Sequence, residues 1–139
     1  MTHYRHTQPG WVILLTVGAA ILMMLASGGS AAVLWPAYLL LGAIGVLFAS
    51  LTVIVDDKYV HVAYGPGFIQ FHFPLSEIQA CETVRNPWIA GWGIRWIGNG
   101  WLFNVSGLDA VQLDMKNGKV YRIGTDEPQA LRDAIELRR

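Results

Sequence analysis

The side chains that could do chemistry are few and scattered in this chain. His61 and His72 fall on neighbouring candidate strands, each on the face opposite the apolar residues, and Cys81 is the one further soft ligand. A zinc site needs three or four ligands, so the two histidines read as solvated surface residues and no metal site is assigned. Asp56 and Asp57 are adjacent, which sends their carboxylates to opposite faces of a strand and makes a poor acid–base pair. No serine sits in a recognisable nucleophile pattern with His and Asp. "GWGIRWIG" (91–98) is glycine-rich but follows no strand-to-helix nucleotide pattern. These absences point away from an enzyme and give no reason to assign a cofactor.

One stretch is unusual in residue type. "NPWIAGWGIRWIGNGW" (86–101) holds four of the six tryptophans. Trp88, Trp92 and Trp96 are spaced four apart, so a short helix would align them on one face. Such a face suits a membrane interface, where Trp is enriched, with Arg85 and Arg95 reaching phosphates beside it. The same five residues could instead form a patch for a protein partner, since exposed Trp and Arg are favoured at hot spots. The third reading is that the rings close the end of a core. Trp101 starts a candidate strand and is expected in the core.

The elements that position this segment follow from composition. Charged residues make up 14% of the chain, and none lies between Arg5 and Asp56. Within that gap, "WVILLTVGAAILMMLAS" (11–27) and "AAVLWPAYLLLGAIGVLFASLTVIV" (31–55) are apolar runs joined by a Gly-Gly-Ser turn. They predict a transmembrane helical hairpin over 11–50, with Trp11, Trp35 and Tyr38 as interface anchors and Pro36 tolerated near the start of the second helix. A cleaved signal peptide is the rival reading for the first run. Arg5 and almost all later Lys and Arg fall on one side of the hairpin, so the positive-inside rule places both termini in the cytoplasm of a two-pass bacterial inner-membrane protein. No charge lies inside the spans, which argues against a transporter. Gly18, Ala19, Gly42, Ala43 and Gly45 offer close-approach surfaces for a partner or a second copy.

Residues 1–10 read as a polar, disordered tail containing His3 and His6. From residue 51 the pattern alternates. "YVHVAY" (59–64) places Val60, Val62 and Tyr64 on one face, and "FIQFHF" (68–73) does the same for Ile69, Phe71 and Phe73. Residues 79–85 and 101–105 are further strands. In the hairpin of 110–123, a loop over Lys116-Asn117-Gly118 with Gly118 left-handed sets Val111 opposite Ile123 and Leu113 opposite Tyr121. A last helix is capped by Asp126 with Gln129, tolerates Pro128 in its first turn, and carries a Leu131, Ala134 and Ile135 stripe. The fold class expected is an α+β membrane protein: a hairpin, then about seven antiparallel strands over 51–139 in a bent sheet with one C-terminal helix plugging it. Ten Lys and Arg against ten Asp and Glu leave no basic field for nucleic acid. The single cysteine gives no sign of an oxidising compartment.

This arrangement resembles small bacterial membrane proteins that carry a pleckstrin-homology-like domain beside a two-helix hairpin. The resemblance rests on "GWGIR" (91–95), "GWLFNVSGLDAVQL" (100–113), "RIGTDEPQAL" (122–131) and the strand order over 52–139. It implies a binding or scaffold module on the cytoplasmic face that recruits a protein partner or contacts lipid headgroups. Pleckstrin-homology domains that bind phosphoinositides use basic residues between their first two strands; here that turn is Asp56-Asp57-Lys58, mostly acidic. Two other classes stand beside this reading: a structural or assembly subunit of a membrane complex, and a small interfacial enzyme acting on lipid.

Overall fold

The polar segment ahead of the first helix is a strand. In the computed structural model, which describes residues 1–139, Tyr4–Pro9 (β1) runs antiparallel to Ser50–Val55 (β2) in unbroken register, from Tyr4 opposite Val55 to Pro9 opposite Ser50. All the sequence between them is a helical hairpin, α1 (Trp11–Ala26) and α2 (Ala31–Leu47). The hairpin is therefore the connection of a two-stranded ribbon. The Gly10 N–H donates to Ala49 O at 2.8 Å, so the ladder closes at the feet of both helices. That bond sets the alternation: the backbone groups of Gln8 and His6 face β2, while those of Arg5, Thr7 and Pro9 face outward. Pro9 thus occupies an edge slot where its missing N–H removes no ladder bond. The tail expected to be disordered is instead an edge strand, with Gln8 buried and Tyr4 packed against the core. A signal-peptide cut after Ser27 would remove this strand along with α1.

No helix is long and apolar enough to cross a membrane. The 16 residues of α1 and 17 of α2 rise roughly 24–26 Å at 1.5 Å per residue, short of a ~30 Å hydrocarbon core. This overturns the expected transmembrane hairpin and the two-pass inner-membrane placement. The physical reason lies in the second apolar run, which the chain divides between two elements. The helix stops at Leu47, and Leu51, Val53 and Val55 turn inward as the buried face of β2. A core strand buried on one side, fused to an apolar helix, reads as one long span. Pro36 falls at the sixth position of α2, beyond the first turn, so it removes one helical hydrogen bond to Ala32.

Beyond the hairpin the chain is an α+β fold of two sheets. Tyr59–Tyr64 (β3) and Ile69–Pro74 (β4) complete the first sheet in the order β1-β2-β3-β4. Ile78–Arg85 (β5), Gly93–Trp96 (β6), Gly100–Asn104 (β7), Asp109–Met115 (β8) and Val120–Gly124 (β9) form the second, ordered β5-β8-β9-β7-β6. The strands number nine, not about seven, because β1 and β6 escape the sequence pattern. β7 lies parallel to β9, so the second sheet is not a simple meander.

The two inner faces make the core. Val60, Val62 and Tyr64 are fully buried, as their alternation predicts, and meet Phe103, Val111, Leu113 and Ile123 of the second sheet. The β8–β9 hairpin adopts the expected register, Val111 opposite Ile123 and Leu113 opposite Tyr121, with Gly118 at φ 85°. Pro128–Glu136 (α3) covers one opening of the sandwich with Leu131 and Ile135 fully buried. Its expected Asp126 cap is not formed; Asp126 bonds His6 at 2.5 Å, and Thr125 Oγ1 accepts the Glu127 N–H at 3.0 Å. Trp101 is exposed, not core: it shares the inner face with Tyr121 and Phe103 but stands where the space between the two sheets opens to solvent.

Leu131→Ala should lower stability by about 2–5 kcal/mol, the usual range for deleting a buried Leu side chain, read from the urea midpoint at unchanged slope. Gly100→Ala should destabilise through a clash, since a Cβ there would meet Val120 O at 2.0 Å across the β7–β9 pair; an unchanged melting temperature would contradict this packing.

Candidate functional site

The tryptophan-rich segment begins where β5 ends. The Asn86 N–H donates to Leu108 O at 2.7 Å, and Pro87 starts a single 3₁₀ turn over Trp88–Ala90. Gly91 (φ 72°) and Gly93 (φ 90°) then take left-handed backbone that other residues rarely adopt. Those two glycines prevent the helix that would have aligned Trp88, Trp92 and Trp96. The three rings go separate ways. Trp88, at the tip of the turn, is 74% exposed. Trp92 donates its Nε1–H to Gly107 O at 3.0 Å and ties the segment to the β7–β8 connection. Trp96, at the end of β6, meets Trp101 edge to face at 5.5 Å.

The segment lies at the foot of the helical hairpin. Gly91–Arg95 form one wall of a groove of about 530 Å³. Val12, Ile13, Thr16 and Val17 of α1, with Ile44 and Phe48 of α2, form the other. Phe48 packs edge to face on Tyr64 at 5.0 Å, and the Tyr64 hydroxyl donates to Gly93 O at 3.3 Å, so helix foot, first sheet and β6 share one joint. Burial pushes the Tyr64 phenol far above its ordinary value.

Arg85 and Arg95 fare differently. Arg85 sits opposite Asp109 on β8 and contacts its carboxylate at 3.4 Å, an exposed pair of the kind worth little. Arg95 donates Nε–H to Trp92 O at 3.0 Å, and its guanidinium lies over Gly91. Its neighbour in this region is Arg122 of β9, on the outer face of the β8–β9 hairpin: the two line one pocket of about 400 Å³ together with Ile89 and Ile97.

Above the segment, α1 and α2 carry most of the molecule's exposed apolar bulk. Trp11, Leu15, Leu22, Met23 and Leu25 on α1 are exposed, as are Val33, Trp35, Leu39, Leu40 and Val46 on α2. Only Gly45, against Val17 at 3.6 Å, is buried in either helix. Gly18 and Gly42 have no neighbour within 4 Å of where a Cβ would stand.

A second concavity lies between the two sheets. Phe71 and Phe73 of β4 stack with Phe103 and Tyr121 of the opposite sheet, at centroid distances of 4.4 Å for Phe71–Phe103 and 4.7 Å for Phe73–Tyr121. They floor a cleft of about 670 Å³ that also reaches Ile94, Trp101 and Met115. It opens beside β4 and β6, the outer strands of the two sheets. Alternation identifies these aromatic residues as inward-facing but does not tell how far two sheets splay.

The remaining polar groups are engaged locally. His61 and His72 are cross-strand neighbours with rings 4.8 Å apart, and no cluster of three or more His, Cys, Asp or Glu side chains assembles. Asp56 accepts the Lys58 and Tyr59 N–H groups at 2.8 Å each and meets His61 Nε2 at 2.6 Å. Its backbone bonds first, then His61, hold the carboxyl well below the ordinary value of 3.8. Asp57 turns to the Met1 ammonium and His3, which hold it at about 2. Cys81 points toward α3 and donates to Glu136 Oε1 at 3.1 Å; burial first, then Glu136, pushes the thiol up to about 12.

No protein-family model, no curated protein and no solved structure matches this chain.

Two measurements check these local assignments. Because the Asp56 carboxyl is depressed in the folded state, its contribution is present above the ordinary value of 3.8 and is lost as pH falls below it. The fall in melting temperature from pH 4 to pH 2 should therefore be shallower in Asp56→Asn than in the wild type. Cys81 should resist iodoacetamide at pH 8 in the native protein and react on unfolding in urea, because only the thiolate attacks; rapid native labelling would contradict the thiol's placement.

Proposed function

We propose that this chain is a non-enzymatic binding or scaffold module that seats its helical hairpin in a lipid surface from one side, entering and returning without crossing, and holds its two-sheet domain against the headgroups. The observation that carries this reading is the ten large, exposed apolar side chains on α1 and α2, in a stretch without one charged residue. A helix apolar on every side requires an apolar surrounding. Burying each such side chain more fully is favourable by roughly 1–2 kcal/mol, taking half to most of the full-burial value. Lipid meets this demand on all sides of a projecting hairpin at once. The groove at the hairpin's foot, with Trp92 and Arg95 on its domain wall, supports a seat at headgroup level.

A second reading draws on Gly18 and Gly42, which leave room for another helix to approach closely. In it the chain is an assembly subunit whose hairpin is covered by a protein partner or by a second copy.

The test uses vesicles with brominated acyl chains and the full-length protein. Trp35 fluorescence, read as the difference between wild type and Trp35→Phe, should be strongly quenched. Leu22→Asp with Leu40→Asp should abolish vesicle association while leaving the circular dichroism of the sheets intact. A protein that stays in the aqueous phase as a defined oligomer, with Trp35 unquenched, would favour the assembly reading and overturn the lipid one.

A further inference from the structure

The outer face of the second sheet carries one row of side chains across all five strands. Register places Glu82 of β5 opposite Gln112 of β8, Gln112 opposite Arg122 of β9, Arg122 beside Leu102 of β7, and Leu102 opposite Arg95 of β6. Residues in register share a face, so Arg122 and Arg95 flank Leu102 one strand away on either side, roughly 10 Å apart at their Cα atoms. Leu102 is fully buried although it lies outside the central core cluster. The 87–90 turn covers this face, and the space left between the turn and the sheet is the pocket lined by Arg95, Arg122, Ile89 and Ile97.

The charge balance of this pocket is one-sided. Arg122 spends its Nε–H on Gln112 Oε1 at 2.9 Å and its Nη1–H on Asn86 Oδ1 at 3.1 Å, both neutral amides. Arg95 spends its Nε–H on the Trp92 carbonyl. Neither guanidinium meets a carboxylate. The two acids on this face, Glu82 and Asp114, accept instead from Gln112 Nε2 at 3.5 and 3.0 Å, on the far side of Arg122 from Arg95. Two guanidinium groups are thus held in place by neutral partners, with Nη groups left to donate. Planar forks of this kind match phosphate oxygens. Beside them Ile89, 77% exposed, and Ile97 make an apolar shoulder at the mouth, while the Trp96 ring turns to the other face against Trp101. Arg95 also lines the groove at the foot of α1 and α2.

We infer that Arg95 and Arg122 form a binding site for a phosphate group that carries an apolar or glycerol-like attachment, the phosphate held between the guanidinium groups and the attachment lying on Ile89 and Ile97. Two sources offer that chemistry, a lipid headgroup and a free organic phosphate. The lipid source rests on the seating of the hairpin proposed above; the site itself does not.

The experiment titrates ¹⁵N-labelled full-length protein with glycerol 3-phosphate and follows the arginine Nε–H signals. In parallel it measures partition onto phosphatidylglycerol vesicles and onto neutral detergent micelles. Arg95→Gln is the main variant, since Arg95 is exposed. Arg122→Lys keeps the charge and removes the fork. Saturable shifts at Arg95 and Arg122, weakened roughly fivefold or more in each variant, support the site. A fivefold loss of vesicle partition in Arg95→Gln, with micelle binding unchanged, assigns the lipid source. Unchanged vesicle partition with weakened glycerol 3-phosphate binding assigns the soluble source. A wild type that binds glycerol 3-phosphate but neither vesicles nor micelles keeps the site and discards the seated hairpin. Absence of saturable shifts, together with vesicle partition indifferent to both variants, overturns the site.

Discussion

β1 lies along β2 from Tyr4 to Pro9, and the rest of the molecule is arranged around that pairing. It brings the two feet of a helical hairpin to adjacent strands, bound by a Gly10–Ala49 hydrogen bond with no free linker. The hairpin therefore leaves the sheet at one end and in a fixed direction. The same end receives the Gly65 turn, whose N–H donates to Ser50 O at 2.9 Å, and the 105–108 connection, where Ser106 Oγ donates to Pro9 O at 3.0 Å. Through Gly107, it also receives Trp92. One backbone ladder thus gathers helices, turns and the tryptophan segment at a common end.

That gathering explains why so many aromatic rings stand in one short stretch. They do not act as a single face. Trp92 fastens the segment to the domain, Trp88 projects from its turn, and Trp96 shields β6 beside Trp101. The glycines between them set the backbone angles that let one chain serve these three positions. The arginines are divided in the same manner: Arg85 is taken up by Asp109, whereas Arg95 and Arg122 keep neutral partners across a buried leucine. Apolar helices, a groove at their foot and an uncompensated basic pair then follow one another across the molecule. Such a gradient from apolar to cationic suits a lipid surface met from one side.

Much of this was legible in the sequence wherever burial imposes a period. The alternation in 59–64 and 68–73 marks the inner faces, and a Lys116–Gly118 loop is the one that keeps Val111 and Leu113 on the side of Ile123 and Tyr121. The stripe of α3 was equally plain. β1 was not legible, because Tyr-Arg-His-Thr-Gln-Pro holds too little apolar surface to alternate; its order comes from pairing with a distant strand. The end of α2 was hidden for the opposite reason, since helix and strand are both apolar and nothing in composition marks the change at Leu47. The tryptophan spacing suggested a helix that Gly91 and Gly93 forbid. Arg122 could have been connected to Arg95 only by knowing that β7 inserts between β6 and β9, a long-range choice that local pattern does not encode.

The most direct measurement is a cross-link across the β1–β2 ladder. Thr7 and Thr52 face each other with hydroxyl oxygens 2.8 Å apart, at a pair that does not exchange backbone hydrogen bonds, where strands approach most closely. In a Cys81→Ala background, Thr7→Cys with Thr52→Cys should form a disulfide nearly quantitatively under mild oxidation and raise the melting temperature. Failure to cross-link in a folded protein, or rapid backbone hydrogen exchange throughout residues 4–9, would contradict the account at its base, because the hairpin would then be a loose N-terminal appendage with no fixed direction.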